Sequence, residues 1–274
     1  MELTQVSARF FLELALGLFS GLLVVDRRAI GAGFTRLLVA FALASLIPGL
    51  LLTRGASASA PGSACAIAFA LLGVALLFGA GRMKPALETA VIAATSACGA
   101  AALLLAVRAQ VPHESAAALP LACASSLGST LVLGWVVGAM ILGHWYLVTP
   151  DLPVAHLGRL TLAALAATYV KLALLAVTAW WFRDRLGESA RSFAAVLGFG
   201  GGGGPFQSQL DFLWLLARLL IGLVGPLALC HMTLATVRLK ATQPATGILY
   251  AATVMVLMGE LFAFVGERSF AVVL

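Results

Sequence analysis

The sequence PLACASSLGSTLVLGWVVGAMILGHWYLV, residues 120–148, decides the fold, because it contains no Asp, Glu, Lys or Arg. A helix of about 20 mainly apolar residues is long enough to cross the hydrocarbon core of a bilayer. Two prolines, Pro150 and Pro153, follow the stretch, and prolines in this position are typical of the end of a helix. The stretch therefore predicts a membrane-spanning helix.

Further stretches of the chain are equally apolar and long enough to span a bilayer. The predicted spans are residues 9–25, 34–52, 63–80, 86–107, 120–148, 160–182, 211–236 and 245–265. Charged residues make up 10% of the chain, whereas soluble domains contain about 25%. We therefore predict an all-α integral membrane protein, a bundle of about eight transmembrane helices. Residues 1–274 form a single polytopic membrane domain, in which residues 183–210 are a glycine-rich extramembrane loop.

The basic residues indicate the surroundings and the orientation of the chain. The net charge is +6, but the basic residues lie between apolar runs, which favours lipid headgroups over nucleic acid as the partner. An even number of spans places both termini on one side, side A, opposite side B. Side B holds eight basic residues in short loops, and side A holds seven, three of them in the long loop. Because basic short loops stay in the cytoplasm, we predict an inner-membrane protein whose termini are periplasmic.

Six ionisable side chains within the predicted spans are functional candidates, because hydrocarbon penalises a charge by several kcal/mol unless it faces the bundle interior. They are Glu13, His144, Lys171, Arg218, His231 and Glu260. Counting along each span places Glu13, Arg218 and Glu260 near side A, and Lys171 close to the middle of its span. We expect Arg218 and Glu260 to form an ion pair, because the charge of either residue alone would be buried without a counter-charge. Glu13 is a further candidate for proton relay or charge balance.

Two spacing patterns predict contacts between helices. Gly134 and Gly138 form a G-x-x-x-G pattern, which allows another helix to approach closely. In the last span, four polar residues recur every seven positions and so share one helix face, namely Thr246, Thr253, Glu260 and Glu267. This face is expected to point toward the interior of the bundle.

The two histidines lie at a similar depth near side B, on spans that run in the same direction. Such a pair suits either a polar quinone pocket or the axial ligands of a b-type haem. The predicted quinone site contains His144, Tyr146 and His231, between the fifth, sixth and seventh spans. A simpler interpretation is that His144, Trp145 and Tyr146 form an interfacial aromatic belt.

The last two spans resemble a known family. The stretches ARLLIGLVGPLALC and RLKATQPATGILYAATVMVLMGELFAF are similar to the C-terminal part of the membrane anchor of dimethyl sulfoxide reductase and its wider superfamily. Arg218 early in one span, Gln243-Pro244 at the start of the next and Gly259-Glu260 late in it carry the resemblance. It covers about 50 residues, and its motifs are short.

The resemblance implies a haem-free helical bundle that exchanges electrons between menaquinol and iron–sulfur and molybdenum subunits. One feature departs from the family, which has a His-Leu-Gly-x-Pro stretch near its quinol site. The nearest counterpart here begins Gly81-Arg82-Met83 and contains no histidine. If a quinone binds, His144 or His231 must replace the histidine that the family has near its quinol site.

These observations favour a quinone-interacting membrane subunit of a respiratory or electron-transfer complex. It would bind menaquinone or ubiquinone and pass electrons to or from iron–sulfur, cytochrome or molybdenum partner subunits, and so would not be an enzyme by itself. The catalytic residues would be His144, His231 and Lys171, since a histidine titrates near neutral pH, while Glu13, Arg218 and Glu260 would relay protons or form ion pairs. No metal site is expected, unless the two histidines bind haem b.

Three alternatives stay open. The first is a haem b cytochrome that uses His144 and His231 as axial ligands. The second is a secondary transporter with Lys171 and Glu260 at its substrate or proton site. The third is a structural accessory subunit, which would tolerate alanine at every buried polar site.

The orientation is tested by labelling single cysteines in a background without the native cysteines. We expect Ser189→Cys, in the long side-A loop, to react with an impermeant thiol reagent added outside the cell. Ala241→Cys, in the last side-B loop, should be protected. Labelling of Ala241→Cys from outside, with Ser189→Cys protected, would reverse the assignment.

Overall fold

The computed structural model of the chain describes residues 3–53, 60–111, 118–181 and 206–270, together with Arg183, Gly187 and Arg191. Over these residues the regular secondary structure is helical, and eight helical stretches are long and apolar enough to cross a membrane. The predicted all-α membrane bundle of eight transmembrane helices is therefore confirmed.

The helices are α1 (Leu3–Val24), α2 (Arg27–Ile30), α3 (Ala32–Thr53), α4 (Ala60–Gly79), α5 (Pro85–Gln110), α6 (Ala118–Trp145), α7 (Ala155–Trp181), α8 (Phe206–Leu219), α9 (Gly225–Arg238) and α10 (Thr242–Phe270). A π-helical segment, Leu220–Val224, joins α8 to α9, so these two helices form one span. The short α2 lies between the first and second spans.

Helices α1 and α6 form the centre of the bundle. Helix α1 packs against α3, α5 and α6, and α6 packs in addition against α7 and α10. Helix α9 packs against α7 and α10, while α4 lies at the periphery against α3 and α5. Buried residues make up 72% of the most apolar stretch of α6 but 17% of that of α4. The outer face of α4 is therefore available to lipid.

Several boundaries differ from the prediction, and two of them bear on the charged residues and the long loop. Helix α1 begins at Leu3 rather than at residue 9, because Arg9 lies inside the helix with its charge paired to carboxylates. Helix α8 begins at Phe206, so the last residues of the predicted loop 183–210 are helical. Most of the rest of that loop, including Ser189, lies outside the described residues.

The central helices α1 and α6 touch through their backbones at two glycines. A Cβ atom on Gly17 would lie 2.1 Å from the carbonyl oxygen of Thr130, and one on Gly134 would lie 2.1 Å from the carbonyl carbon of Gly17. No side chain fits in either place, because both nearest atoms belong to the backbone. Gly134 of the G-x-x-x-G pattern thus has the close contact that the spacing predicts.

A second glycine contact lies where the π-helical segment crosses α10. A Cβ atom on Gly222 would lie 2.6 Å from the Cα of Gly259. Pro226, which has no N–H to donate, follows the segment at the start of α9. The crossing holds α8 against α10 and so places Arg218 beside Glu260, the residue that follows Gly259.

The two glycines of the G-x-x-x-G pattern should respond differently to a methyl group. Gly134→Ala forces α1 and α6 apart, and overpacking of this kind costs about 1–3 kcal/mol. Gly138→Ala is the matched control, because its Cβ would lie 3.7 Å from the nearest atom, in Leu160, which is an ordinary contact. Thermal unfolding in detergent measures both. Equal stability of the two variants would contradict the α1–α6 contact.

Candidate functional site

Among the residues that the structure describes, the side-A half of the bundle contains six charged residues that are almost completely withdrawn from the surface. This buried charge network consists of Arg9, Glu13, Lys171, Arg218, Glu260 and Glu267, each at most 3% exposed. The three basic and three acidic groups sum to zero when all are ionised. Hydrocarbon does not solvate a net charge. The six charged groups can therefore be buried together because their charges balance.

Arg218 and Glu260 form the ion pair at the centre of the network. Nη2 of Arg218 donates to Oε1 of Glu260 at 2.9 Å and to the hydroxyl of Ser129 on α6 at 3.2 Å. Nε and Nη1 of Arg218 have no hydrogen-bond partner among the described residues. The structure thus joins the two residues that the sequence suggested as partners, and adds a serine that it did not suggest.

Arg9 connects three helices nearer to side A. Its guanidinium is paired with Glu267 of α10 and donates to Oε1 of Gln110 on α5 at 2.8 Å. Its Nε also lies 3.4 Å from Oε1 of Glu13, one turn along α1. Sequence reasoning missed Arg9 because it stands at the predicted start of the first span. The four-residue spacing of Arg9 and Glu13 was the available signal, since this spacing places opposite charges side by side on a helix.

Lys171 occupies the middle of α7 and is fully buried. Its ammonium donates to the carbonyl oxygen of Ser125 at 3.0 Å and to the Ser125 hydroxyl at 2.6 Å. No carboxylate forms an ion pair with it among the residues that the structure describes. It interacts electrostatically with four other members of the network, Glu13, Arg218, Glu260 and Glu267.

The network extends in depth from side A toward the middle of the membrane. Gln110 is the last residue of α5 and marks the side-A end. Glu260 lies seven residues before Glu267 on α10, which corresponds to about 10 Å along the helix axis. Lys171 lies near the midpoint of α7. The charged groups therefore form a polar route into the bundle.

The two histidines of the predicted quinone site lie in two different places. Nδ1 of His144 is 3.3 Å from the hydroxyl of Tyr250 on α10, and Nε2 of His231 is 2.9 Å from the hydroxyl of Tyr169 on α7. All four side chains are exposed on the outside of the bundle. Helices α7 and α10 lie between α6 and α9, so the structure does not bring the histidines together. This arrangement does not fit two axial ligands of one haem.

Tyr146, the third residue of the predicted quinone site, has a different environment. It is buried, and its hydroxyl donates to the carbonyl oxygen of Pro153 at 2.6 Å. Burial raises the pKa of Tyr146 above its ordinary value. The hydroxyl therefore fixes the turn between α6 and α7 and is poorly suited to proton exchange.

A third histidine, His156, was not found by sequence reasoning, because it precedes the predicted start of its span at residue 160. It is the second residue of α7 and is 7% exposed. Its Nδ1 has no hydrogen-bond partner within the described ranges. His156 is thus a buried polar group on side B, outside the charge network.

Comparison with known proteins gives no relative: no family model, no curated protein and no solved structure matches the chain. The resemblance of the last two spans to the reductase anchor stays a prediction.

The ion pair is tested by single and double substitution. Arg218→Met leaves Glu260 buried without its partner, which should lower the free energy of unfolding by about 3–5 kcal/mol. Arg218→Met combined with Glu260→Gln should recover much of that loss, because no net charge stays behind. Denaturation in detergent measures both. The pairing is refuted if the double variant is no more stable than the less stable single variant.

Proposed function

We propose that the chain is a quinone-interacting membrane subunit of an electron-transfer complex, and that the quinone headgroup binds at the His231–Tyr169 pair. The observation that carries the proposal is a hydrogen-bonded histidine and tyrosine facing outward at membrane depth. Tyr169 is 48% exposed and lies near the middle of α7. His231 lies seven residues before the end of α9, about 10 Å along the helix.

Polar groups that face lipid at this depth are costly unless they meet a polar partner. A quinone reaches them by diffusing in the bilayer. One of its ring oxygens can accept a hydrogen bond from Nδ1–H of the imidazole when the phenol donates to Nε2, or from the phenol when Nε2–H donates to the phenol. Nε2 of His231 already contacts Tyr169, which leaves Nδ1 for the ligand. The neighbouring Val170 and Met232, 57% and 54% exposed, supply apolar surface for the ring and tail.

The chemistry of the proposal follows from the imidazole. Reduction of a quinone to a quinol takes up two electrons and two protons, and oxidation releases them. Histidine exchanges protons near neutral pH, and positioned acid–base groups accelerate proton transfer about 10²–10⁴-fold. The electrons pass to or from iron–sulfur, cytochrome or molybdenum partner subunits. The inner membrane and the periplasmic termini belong to the same proposal.

The His144–Tyr250 pair provides a matched control for the binding site. It has the same two side-chain types, and all four side chains are exposed. His144 is the second-last residue of α6 and Tyr250 is the ninth residue of α10, so this pair lies nearer to side B than His231 and Tyr169. We therefore place the quinone at His231 and assign no ligand to His144. Lys171 is fully buried and bonded to Ser125, so it does not contact a quinone at the outer surface of the bundle.

Binding is tested with the chain alone in lipid nanodiscs. Photoreactive analogues of ubiquinone and menaquinone should label peptides of α7 and α9, and the unlabelled quinone should compete. His231→Ala and Tyr169→Phe should each weaken binding about two- to tenfold, as expected for one lost hydrogen bond. His144→Ala and Tyr250→Phe should leave the affinity unchanged. Equal affinity in all four variants would refute the site.

The intact complex provides the test of turnover. His231→Ala should slow quinone-linked electron transfer while the complex still assembles, whereas His144→Ala should not. Normal turnover of His231→Ala at saturating quinone would contradict a role in proton exchange.

A secondary transporter is a second candidate, and the buried charge network favours it. Lys171 and Glu260 would then form the proton or substrate site. This function needs no redox partner, so the purified chain in liposomes would dissipate a proton gradient. Loss of that activity in Glu260→Gln, with quinone binding absent in the wild type, would select the transporter.

A further inference from the structure

Glu13 is the least satisfied carboxylate of the buried charge network. Glu260 accepts a hydrogen bond from Arg218, and Glu267 accepts one from Arg9. Oε1 of Glu13 has no hydrogen-bond donor among the described residues, although Nε of Arg9 lies 3.4 Å away. Protonation of Glu13 at this oxygen therefore breaks no hydrogen bond.

Lys171 is the matching basic group. It is held by Ser125 rather than by a carboxylate. A serine hydroxyl accepts a hydrogen bond from an ammonium and can donate one to a neutral amine. Ser125 can therefore satisfy Lys171 in both protonation states.

We propose that Glu13 and Lys171 form a proton-transfer pair at the inner end of the charge network. In the forward step an N–H bond of the Lys171 ammonium breaks and an O–H bond forms on the Glu13 carboxylate. The products are a neutral amine and a neutral carboxylic acid. One proton moves, no electron moves, and the net charge of the network stays zero. The pair is thus a proton-transfer site in the interior of the bundle, whether or not a quinone binds.

Helix packing places Glu13 and Lys171 at the same level of the bundle. Helices α1 and α6 are the first and fifth spans, so they run in the same direction. Glu13 lies one turn before Gly17, and Ser126 lies one turn before Thr130, where the two helices touch. Glu13 therefore lies level with Ser125, the residue that holds Lys171.

The charges around Glu13 are balanced. Arg9 of the same helix, Lys171 of α7, and Glu260 and Glu267 of α10 all interact with its charge. Helix α6 contributes Ser125 and Ser129 to this interior and, over its described length, no acidic or basic residue apart from His144 at its far end. The positive and negative charges that surround Glu13 are therefore matched in number.

Several buried polar atoms in the same part of the bundle lack a hydrogen-bond partner. Nε and Nη1 of Arg218, Nε of Arg9 and Oγ of Ser126 are buried without a hydrogen-bond partner among the described residues. Buried polar atoms of this kind are ordinarily satisfied by internal water. Water hydrogen-bonded to these atoms would carry the proton from Lys171 to Glu13.

The test is infrared spectroscopy of the chain in bilayers without quinone, with glutamate carbon labelled to identify carboxyl bands. Lys171→Met removes one cation, and the network stays neutral only if one carboxylate holds a proton. We expect the carbonyl stretch of a carboxylic acid to be stronger in Lys171→Met than in the wild type. It should disappear in Lys171→Met combined with Glu13→Gln.

The matched control is Glu88→Gln in the Lys171→Met background, because Glu88 pairs with Arg27 outside the network and its loss should leave the band unchanged. A band that survives Glu13→Gln, or no increase in Lys171→Met, overturns the proposal. Thermal unfolding provides a second measurement. Glu13→Gln should raise the melting temperature of Lys171→Met, and failure to do so also counts against the pair.

Discussion

The structure depends on one constraint: charges inside a membrane protein must be balanced where they lie. Arg218 and Glu260 meet this constraint between α8 and α10, and Arg9 and Glu267 meet it between α1 and α10. Each pair requires its two helices to present particular faces at a particular height. The charges therefore set the rotation and register of α1, α8 and α10, and the glycine contacts at Gly17–Gly134 and Gly222–Gly259 allow these helices to come close enough.

The polar residues of the bundle fall into two groups with different access. The charge network faces inward and is closed to lipid, so it can hold and move protons but cannot meet a membrane-soluble ligand. The histidine–tyrosine pairs face outward and can meet such a ligand directly. The two proposals concern different surfaces of the protein and can succeed or fail independently.

The sequence was sufficient to predict the spans and the Arg218–Glu260 pair, because both follow from the cost of polar groups in hydrocarbon. Residues whose importance depends on neighbours distant in sequence were not found. Ser125 and Ser129 are ordinary residues of an apolar span until Lys171 and Arg218 contact them. The tyrosine partners of the histidines were missed for the same reason. The shared histidine site was expected from equal depth alone, and depth does not specify the direction in which a side chain points around the helix.

The pairing of Arg9 also bears on the order in which the chain is made. Its partner Glu267 follows 258 residues later, so α1 enters the membrane long before that carboxylate exists. Glu13, one turn away on the same helix, gives α1 a counter-charge of its own during this interval. Arg218 acquires its carboxylate partner, Glu260, only when α10 is synthesised. The last two spans can then enter the bilayer together as a helical hairpin, in which the arginine and the glutamate neutralise each other.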